Sequence, residues 1–126
     1  MIEVVAWVRV ERGRILCARP RGKDVFYIPG GKREAGESDL DTLLREVREE
    51  LTVDLLPVTV SHVGTYEARA DGVVVRMTCY AGDYQGTLTA SSEIAELAWF
   101  GYRDRELVPP VDQLLFDELK AAGQLS

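Results

Sequence analysis

The sequence predicts an α/β (α+β) fold in which helices pack against a mixed β-sheet. Three observations carry that expectation. Apolar runs with period-two alternation recur along the chain, and two segments carry a helical period with start and stop signals. The resulting order is strand, strand, helix, strands, helix. With 126 residues, and no repeat, low-complexity tract or linker, the chain is expected to form one domain over residues 1–126 around a sizeable core.

Residues 2–10 are rich in β-branched side chains. Glu11-Arg12-Gly13 supplies a turn and Arg14 to Ala18 resumes an apolar run, which predicts an opening hairpin. Residues 20–31 hold prolines and glycines around Val25-Phe26-Tyr27-Ile28, a loop and short strand closed by the bend Pro29-Gly30-Gly31. A helix is predicted from Ser38, whose hydroxyl can cap the first turn in partnership with Asp41, to about Leu51. Residues 58–68 and 73–81 alternate as strands joined by Asp71-Gly72, a pair that tolerates the positive φ of a tight hairpin. A polar segment from Gly86 to Glu93 leads to a short strand around Ala98-Trp99-Phe100. Pro109-Pro110 then opens a last helix with Val111, Leu114, Leu115 and Leu119 on one face and Gly123 as its stop.

Charge and cysteine content narrow the function. The net charge of -6 argues against a nucleic-acid polymer as partner, because backbone affinity comes from clustered cations. It leaves a nucleotide substrate open, since a bound metal inverts the local field. Cys17 and Cys79 sit inside apolar strands and read as buried thiols of a reducing compartment. The N-terminus lacks a basic leader, and no apolar run is long enough to span a bilayer, so the expectation is a cytoplasmic protein without a membrane partner.

The first helix poses the chemical question. Leu40, Leu43, Leu44, Val47 and Leu51 fall within a stripe roughly 100° wide that faces the core. Glu46, Glu49 and Glu50 share one flank of that stripe, with Glu49 and Glu50 at about -60° and +40° from Glu46. Each like-charge pair at these spacings costs about 0.2–0.5 kcal/mol. The helix dipole adds about 0.3–1 kcal/mol for each anion in the last turn. A solvated acidic face is the ordinary reading of such a helix. A hard divalent cation such as Mg²⁺, which takes carboxylates, waters and phosphate oxygens, is the alternative that removes the penalty.

The run from Gly31 through Glu37 to Arg45-Glu46-Val47-Arg48-Glu49-Glu50 favours the second reading. It resembles the signature of the Nudix hydrolases: Gly, five residues, Glu, seven residues, Arg-Glu-aliphatic-any-Glu-Glu-any-Gly-aliphatic. One fixed position departs: Thr52 stands where the family has glycine. A β-branched residue fits the left-handed conformation poorly, so the helix is expected to end differently here.

The resemblance implies an α/β/α sandwich around a central mixed sheet, and Mg²⁺-dependent hydrolysis of a nucleoside diphosphate linked to another moiety. Mn²⁺ is expected to substitute. By position it makes Glu46, Glu49 and Glu50 metal ligands, with a backbone carbonyl at Gly30 or Gly31, and places Arg45 and Glu37 behind them to orient the glutamates. Glu46 and Glu49 are its candidates for the base that accepts the water proton, and Glu93 is a further candidate in a later loop. The identity of the X group stays open, as does a homodimer. A Nudix-like nucleotide-binding module without turnover is the competing reading, although such modules are expected to lose acidic positions that are all present here.

Outside the signature, Arg19, Arg21 and Lys23 suit phosphate contacts or a solubilised loop equally. Trp7, Phe26, Tyr27 and Trp99 can stack on a base, but strand aromatics are more often core. His62, the only histidine, reads as packed and hydrogen-bonded. Gly31-Lys32 lacks the first glycine and the Ser/Thr of a P-loop, and no zinc spacing or EF-hand loop is present.

Overall fold

The computed structural model describes residues 1–126. In chain order its elements are β1 (Ile2–Trp7), β2 (Val10–Glu11), β3 (Arg14–Pro20), β4 (Gly30–Gly31), α1 (Asp39–Leu51), β5 (Asp54–Leu55), a 3₁₀ turn (Pro57–Thr59), β6 (Ser61–Ala70), β7 (Val73–Ala81), β8 (Tyr84–Gln85), β9 (Ile94–Phe100), a second 3₁₀ segment (Tyr102–Leu107) and α2 (Pro110–Ala121). One sheet has the order β4-β1-β7-β6, with β1 parallel to β7 and the other pairs antiparallel. A second, β2-β3-β9, is wholly antiparallel, and β5 pairs with β8.

Strand alternation divides the core in two. Val5, Trp7 and Leu16 point to one side and meet Leu43, Val47 and Leu51 of α1. Their neighbours Ala6, Ile15 and Cys17 point to the other and meet Val111, Leu115, Phe116 and Leu119 of α2. The mixed sheet with a helix on each face is therefore an α/β/α sandwich. Fully burying each large aliphatic side chain contributes about 1.5–3 kcal/mol, so the apolar stripe of α1 fixes which flank presents the glutamates.

Several sequence expectations hold. Ser38 caps α1, and with Asp41 it forms a reciprocal capping box. Asp71 and Gly72 turn β6 into β7 at positive φ. Both cysteines are buried and unpaired, and burial raises both thiols, Cys79 to about 12. No helix is long and apolar enough to cross a membrane.

Other expectations are corrected. The opening hairpin is confined to β2 and β3; residues 2–7 leave it and pair with β7 and β4. Residues 25–28 make no strand, because their amides go to separate partners: Phe26 N–H donates to Leu107, Tyr27 to Ala18 and Ile28 to the Asp112 carboxylate. Leu40 and Leu114 are exposed at the stripe edges, while Thr42, Asp112 and Phe116 are buried. The strand before Tyr66 starts at Ser61, and a bulge between His62 and Gly64 shifts its register. His62 is consequently exposed and bonds only to Thr65, at 3.3 Å.

Thr52 gives the most instructive correction. It adopts the left-handed conformation, φ 60° and ψ 25°, in which a glycine is favoured. The helix end is closed from outside. Thr89 N–H donates to the Leu51 carbonyl and Ser91 N–H to that of Glu50, both at 3.0 Å, while Thr52 Oγ1 donates to Thr87 at 3.3 Å.

Candidate active site

The acidic cluster is built where α1 meets β4. Gly30 has φ 152°, and a Cβ there would collide with the Val5 carbonyl. Glycine at 31 lets Glu46 approach the strand: a Cβ would lie 2.5 Å from Glu46 Cδ. Gly30 N–H donates to Glu50 Oε1 at 3.3 Å. Two consecutive glycines thus admit two carboxylates to the edge of the sheet.

Arg45 organises the rest. Its Nε and Nη2 donate to the two Glu37 oxygens at 2.7 and 2.9 Å, its Nη1 to Glu46 Oε1 at 2.7 Å, and its Nη2 also to the Lys32 carbonyl at 3.1 Å. Glu49 lies 3.5 Å from Nη1, and Glu34 2.9 Å from Nε. The hydrogen bonds from Arg45, with that from Glu34 N–H, hold the Glu37 carboxyl down at about 2. The surrounding carboxylates in turn raise Arg45 above its ordinary range. Thr42 adds a hydroxyl bond to Glu37 at 2.9 Å, which accounts for a polar side chain in the buried face of α1.

Glu50 is under electrostatic pressure. Burial, a hydrogen bond with Glu46 and the Glu46 charge raise its carboxyl well above the usual range, opposed only by the Gly30 amide. Crowding of this kind around a buried carboxyl is relieved by a nearby cation. All the donor atoms are hard oxygens, which suits Mg²⁺ or Mn²⁺. In the arrangement seen, no three acidic, histidine or cysteine side chains converge on one ligating point, and Glu49 lies 3.5 Å from the same Arg45 nitrogen that bonds Glu46. Glu46 and Glu50 lie together beside the diglycine edge, and Glu49, half-exposed, lies against Arg45.

On the opposite face of the sheet a cavity of about 350 Å³ is floored by Ile2, Val4, Ala68 and Val75 and walled by Pro110 and Val111. Lys23, Tyr27 and Lys32 also line it, and Asp112 is its acid. Asp112 is 3% exposed, and one carboxylate oxygen accepts from Ile28 N–H at 2.9 Å. Burial pushes its carboxyl up to about 7 despite that bond. Sequence reasoning misses this residue. Its signal is an acid at a position sharing the helical stripe of Leu115, Phe116 and Leu119.

The other sequence candidates are spread around the two sites. Arg19 pairs with Glu96 at 2.7 Å and donates to the Lys23 carbonyl at 3.0 Å. Arg21 donates its backbone N–H to Glu93 and its Nε to Ser92, at 2.8 and 3.3 Å. Glu93 is exposed at the end of the segment that closes α1. Trp7 is fully buried, with its indole N–H on the Gly82 carbonyl, and Phe26 packs edge-on against Phe100; neither is free to stack. Trp99 borders a separate cleft with Arg14, Arg103 and Lys120.

An α/β/α sandwich that holds acidic oxygen donors at a diglycine edge defines a class, that of phosphoanhydride hydrolases built on a glutamate helix. The NUDIX domain family model matches residues 1–117, and the chain belongs to that family. It is accordingly a hydrolase acting on diphosphate bonds, in a family that generally uses divalent metal ions. The chain is 36% identical over 105 residues to the CTP pyrophosphohydrolase of Escherichia coli strain K12, covering 79% of this chain and 75% of that protein. It is 31% identical over 118 residues to the uncharacterized Nudix hydrolase YvcI of Bacillus subtilis, covering 88% and 74%. The solution structure of the E. coli ORF135 protein superimposes with a TM-score of 0.76 at 33% identity, over 97% of this chain and 92% of that one.

Proposed function

We propose that the protein hydrolyses a nucleoside triphosphate to a monophosphate and pyrophosphate, with a cytosine-type base as the preferred substrate. The observation that carries this reading is the adjacency of two sites across β4. The cavity containing Asp112 lies on one side of Gly30–Lys32 and the Glu46–Glu50 pair on the other. A planar apolar group fits the floor of Ile2, Val4 and Val75, and a buried carboxylate is the acceptor that an exocyclic amine such as cytosine N4 requires. The name of the E. coli relative, a CTP pyrophosphohydrolase, agrees with that chemistry.

With the base seated there, the phosphates cross Lys32 and Lys23 at the cavity rim and reach the acidic cluster. Glu46, Glu49 and Glu50, with a backbone carbonyl of Gly30 or Gly31, would hold Mg²⁺ or Mn²⁺. Such an ion supplies charge neutralisation at the phosphoryl oxygens and a water of lowered pKa. Glu46 or Glu49 accepts the proton of the attacking water, with Glu93 the alternative acceptor. Arg45 fixes the rotamer of Glu46 through its bond at 2.7 Å and is itself braced by Glu37. Arg19 is an additional phosphate contact if it releases Glu96.

The test is a panel of nucleoside triphosphates, nucleotide sugars and dinucleoside polyphosphates with Mg²⁺, run on the wild type, Glu50→Gln and Asp112→Leu. CTP should be cleaved in preference to UTP. Glu50→Gln should abolish release, and Asp112→Leu should cut the CTP/UTP ratio by roughly 10- to 100-fold. Turnover by Glu50→Gln at the wild-type rate would remove the metal-site assignment. A panel with no cleaved compound would favour a binding module.

A further inference from the structure

We propose that Arg21 is a positioning residue, which fastens residues 87–93 as a strap across the C-terminal end of α1 and through it holds the Glu49–Glu50 turn in place for the metal. The inference rests on the reading of Glu46, Glu49 and Glu50 as ligands. It begins from the strained end of α1. The last carbonyls of any helix lack partners within it, and Thr52 occupies a left-handed conformation that costs an L side chain free energy. Yet the turn is closed, because Thr89 and Ser91 donate their amides to the carbonyls of Leu51 and Glu50. Glu50 is therefore held at both ends: its carbonyl by Ser91, its carboxylate by Gly30 N–H.

The strap is anchored in turn. Ser92 is itself at positive φ, 57°, and Ile94 N–H donates back to the Ser91 carbonyl at 3.0 Å. The next two carbonyls, of Ser92 and Glu93, both accept from Arg21, through Nε at 3.3 Å and the backbone amide at 2.8 Å. The Arg21 guanidinium forms no ion pair within 4 Å, in contrast to Arg19, whose partner is Glu96. Its built contact is thus a directional bond to the main-chain oxygen of the residue next to Ser91, the donor that caps Glu50. That geometry assigns Arg21 to the support of α1, in place of the phosphate contact that its charge alone suggests.

Two substitutions separate the roles. The glutamine side chain of Arg21→Gln carries its amide nitrogen one bond beyond Cδ, where arginine has Nε, and so preserves the donor without the charge; Arg21→Lys preserves the charge and moves the donor. The readouts are hydrogen exchange at the Thr89 and Ser91 amides, Mn²⁺ binding by calorimetry without nucleotide, and separate kcat and KM for CTP at saturating Mg²⁺. In Arg21→Ala, and to a similar extent in Arg21→Lys, exchange at both amides should accelerate by about 3- to 10-fold, the range expected for one lost hydrogen bond. Mn²⁺ affinity should fall by about the same factor and kcat should drop, with KM near wild type. Arg21→Gln should restore protection and metal affinity. The proposal is overturned if KM rises while exchange and metal affinity stay fixed, if Lys rescues and Gln does not, or if nothing changes. Wild-type protein that binds no Mn²⁺ would sink the metal site itself, and the exchange data would still decide whether Arg21 holds the strap.

Discussion

Replacing Asp112 with asparagine tests the cavity through stability, independently of any substrate. The Asp112 carboxyl is 3% exposed, and burial raises it from 3.8 to about 7. Below pH about 4 the group is protonated in the folded and unfolded chain alike and adds nothing. As the pH climbs from 4 to 7 the unfolded chain ionises first, the folded chain holds the extra proton, and stability is lost; above 7 the loss levels off. About three pH units at about 1.4 kcal/mol each set a ceiling on the order of 4 kcal/mol for this penalty. Asparagine keeps an acceptor for Ile28 N–H, 2.9 Å away in the wild type, and introduces an amide whose burial costs about 1–3 kcal/mol if unpaired. That cost does not vary with pH. The melting temperature of Asp112→Asn relative to wild type should therefore rise with pH. At roughly 3–5 °C per kcal/mol for a domain of this size, that ceiling corresponds to a gain of about 12–20 °C between pH 4 and pH 8. Melts followed by circular dichroism in chelator, at half-unit steps of pH, measure it. A difference that stays flat across that window would refute the reasoning, for it would mean that Asp112 ionises as freely folded as unfolded.

Two further substitutions test the support of the acidic helix. Thr52→Gly should raise the melting temperature by about 2–4 °C, since relief of left-handed strain outweighs the loss of one long hydroxyl contact; a fall would show that the Thr87 bond, not the strain, dominates. Arg45→Lys keeps the charge but loses the fork that spans Glu37 and Glu46, so kcat should drop by about 10- to 100-fold with the far-ultraviolet spectrum unchanged. In the same region, the lowered Glu37 carboxyl contributes stability above pH 4.5 that is lost as the pH falls towards 2. Glu37→Gln should flatten that acid limb, which thermal melts between pH 2 and 5 would reveal.

What the sequence discloses follows from which forces act locally. The capping box at Ser38 and Asp41, the Asp71-Gly72 turn, the Pro110 start and the Gly123 stop are each decided within a few residues, and each is legible. The flank carrying Glu46 and Glu50 is also legible, because Leu43, Val47 and Leu51 settle the orientation of α1. The departure of β1 from the opening hairpin is not, since the choice between β3 and β7 as a partner rests on pairings 73 residues apart in the chain, such as Ile2 with Val75. Thr52 misleads for the same reason: its local preference is overruled by amides of Thr89 and Ser91 that no window around α1 contains. Asp112 escapes because an apolar stripe is scored by its apolar members, when the exception within it is the informative residue.

The backbone from Ile28 to Lys32 joins the two halves of the chemistry. Ile28 N–H holds the Asp112 carboxylate on the α2 side, and two residues later Gly30 N–H holds the Glu50 carboxylate on the α1 side. Gly31 then makes room for Glu46, and the Lys32 carbonyl receives Arg45. A displacement of this segment moves the Asp112 carboxylate facing the cavity and the Glu50 carboxylate of the acidic cluster together. Strand alternation would return residues 28 and 30 to the same side; the bend at Pro29-Gly30, with Gly30 at φ 152°, is what allows one short stretch to serve both. It also explains why the stretch needs glycine: side chains at 30 and 31 would collide with Val5 on one hand and Glu46 on the other. With a base in the cavity and a phosphate at the acidic cluster, as proposed above, the diglycine would set the distance between them, and α2 and α1 would supply the charges at its ends.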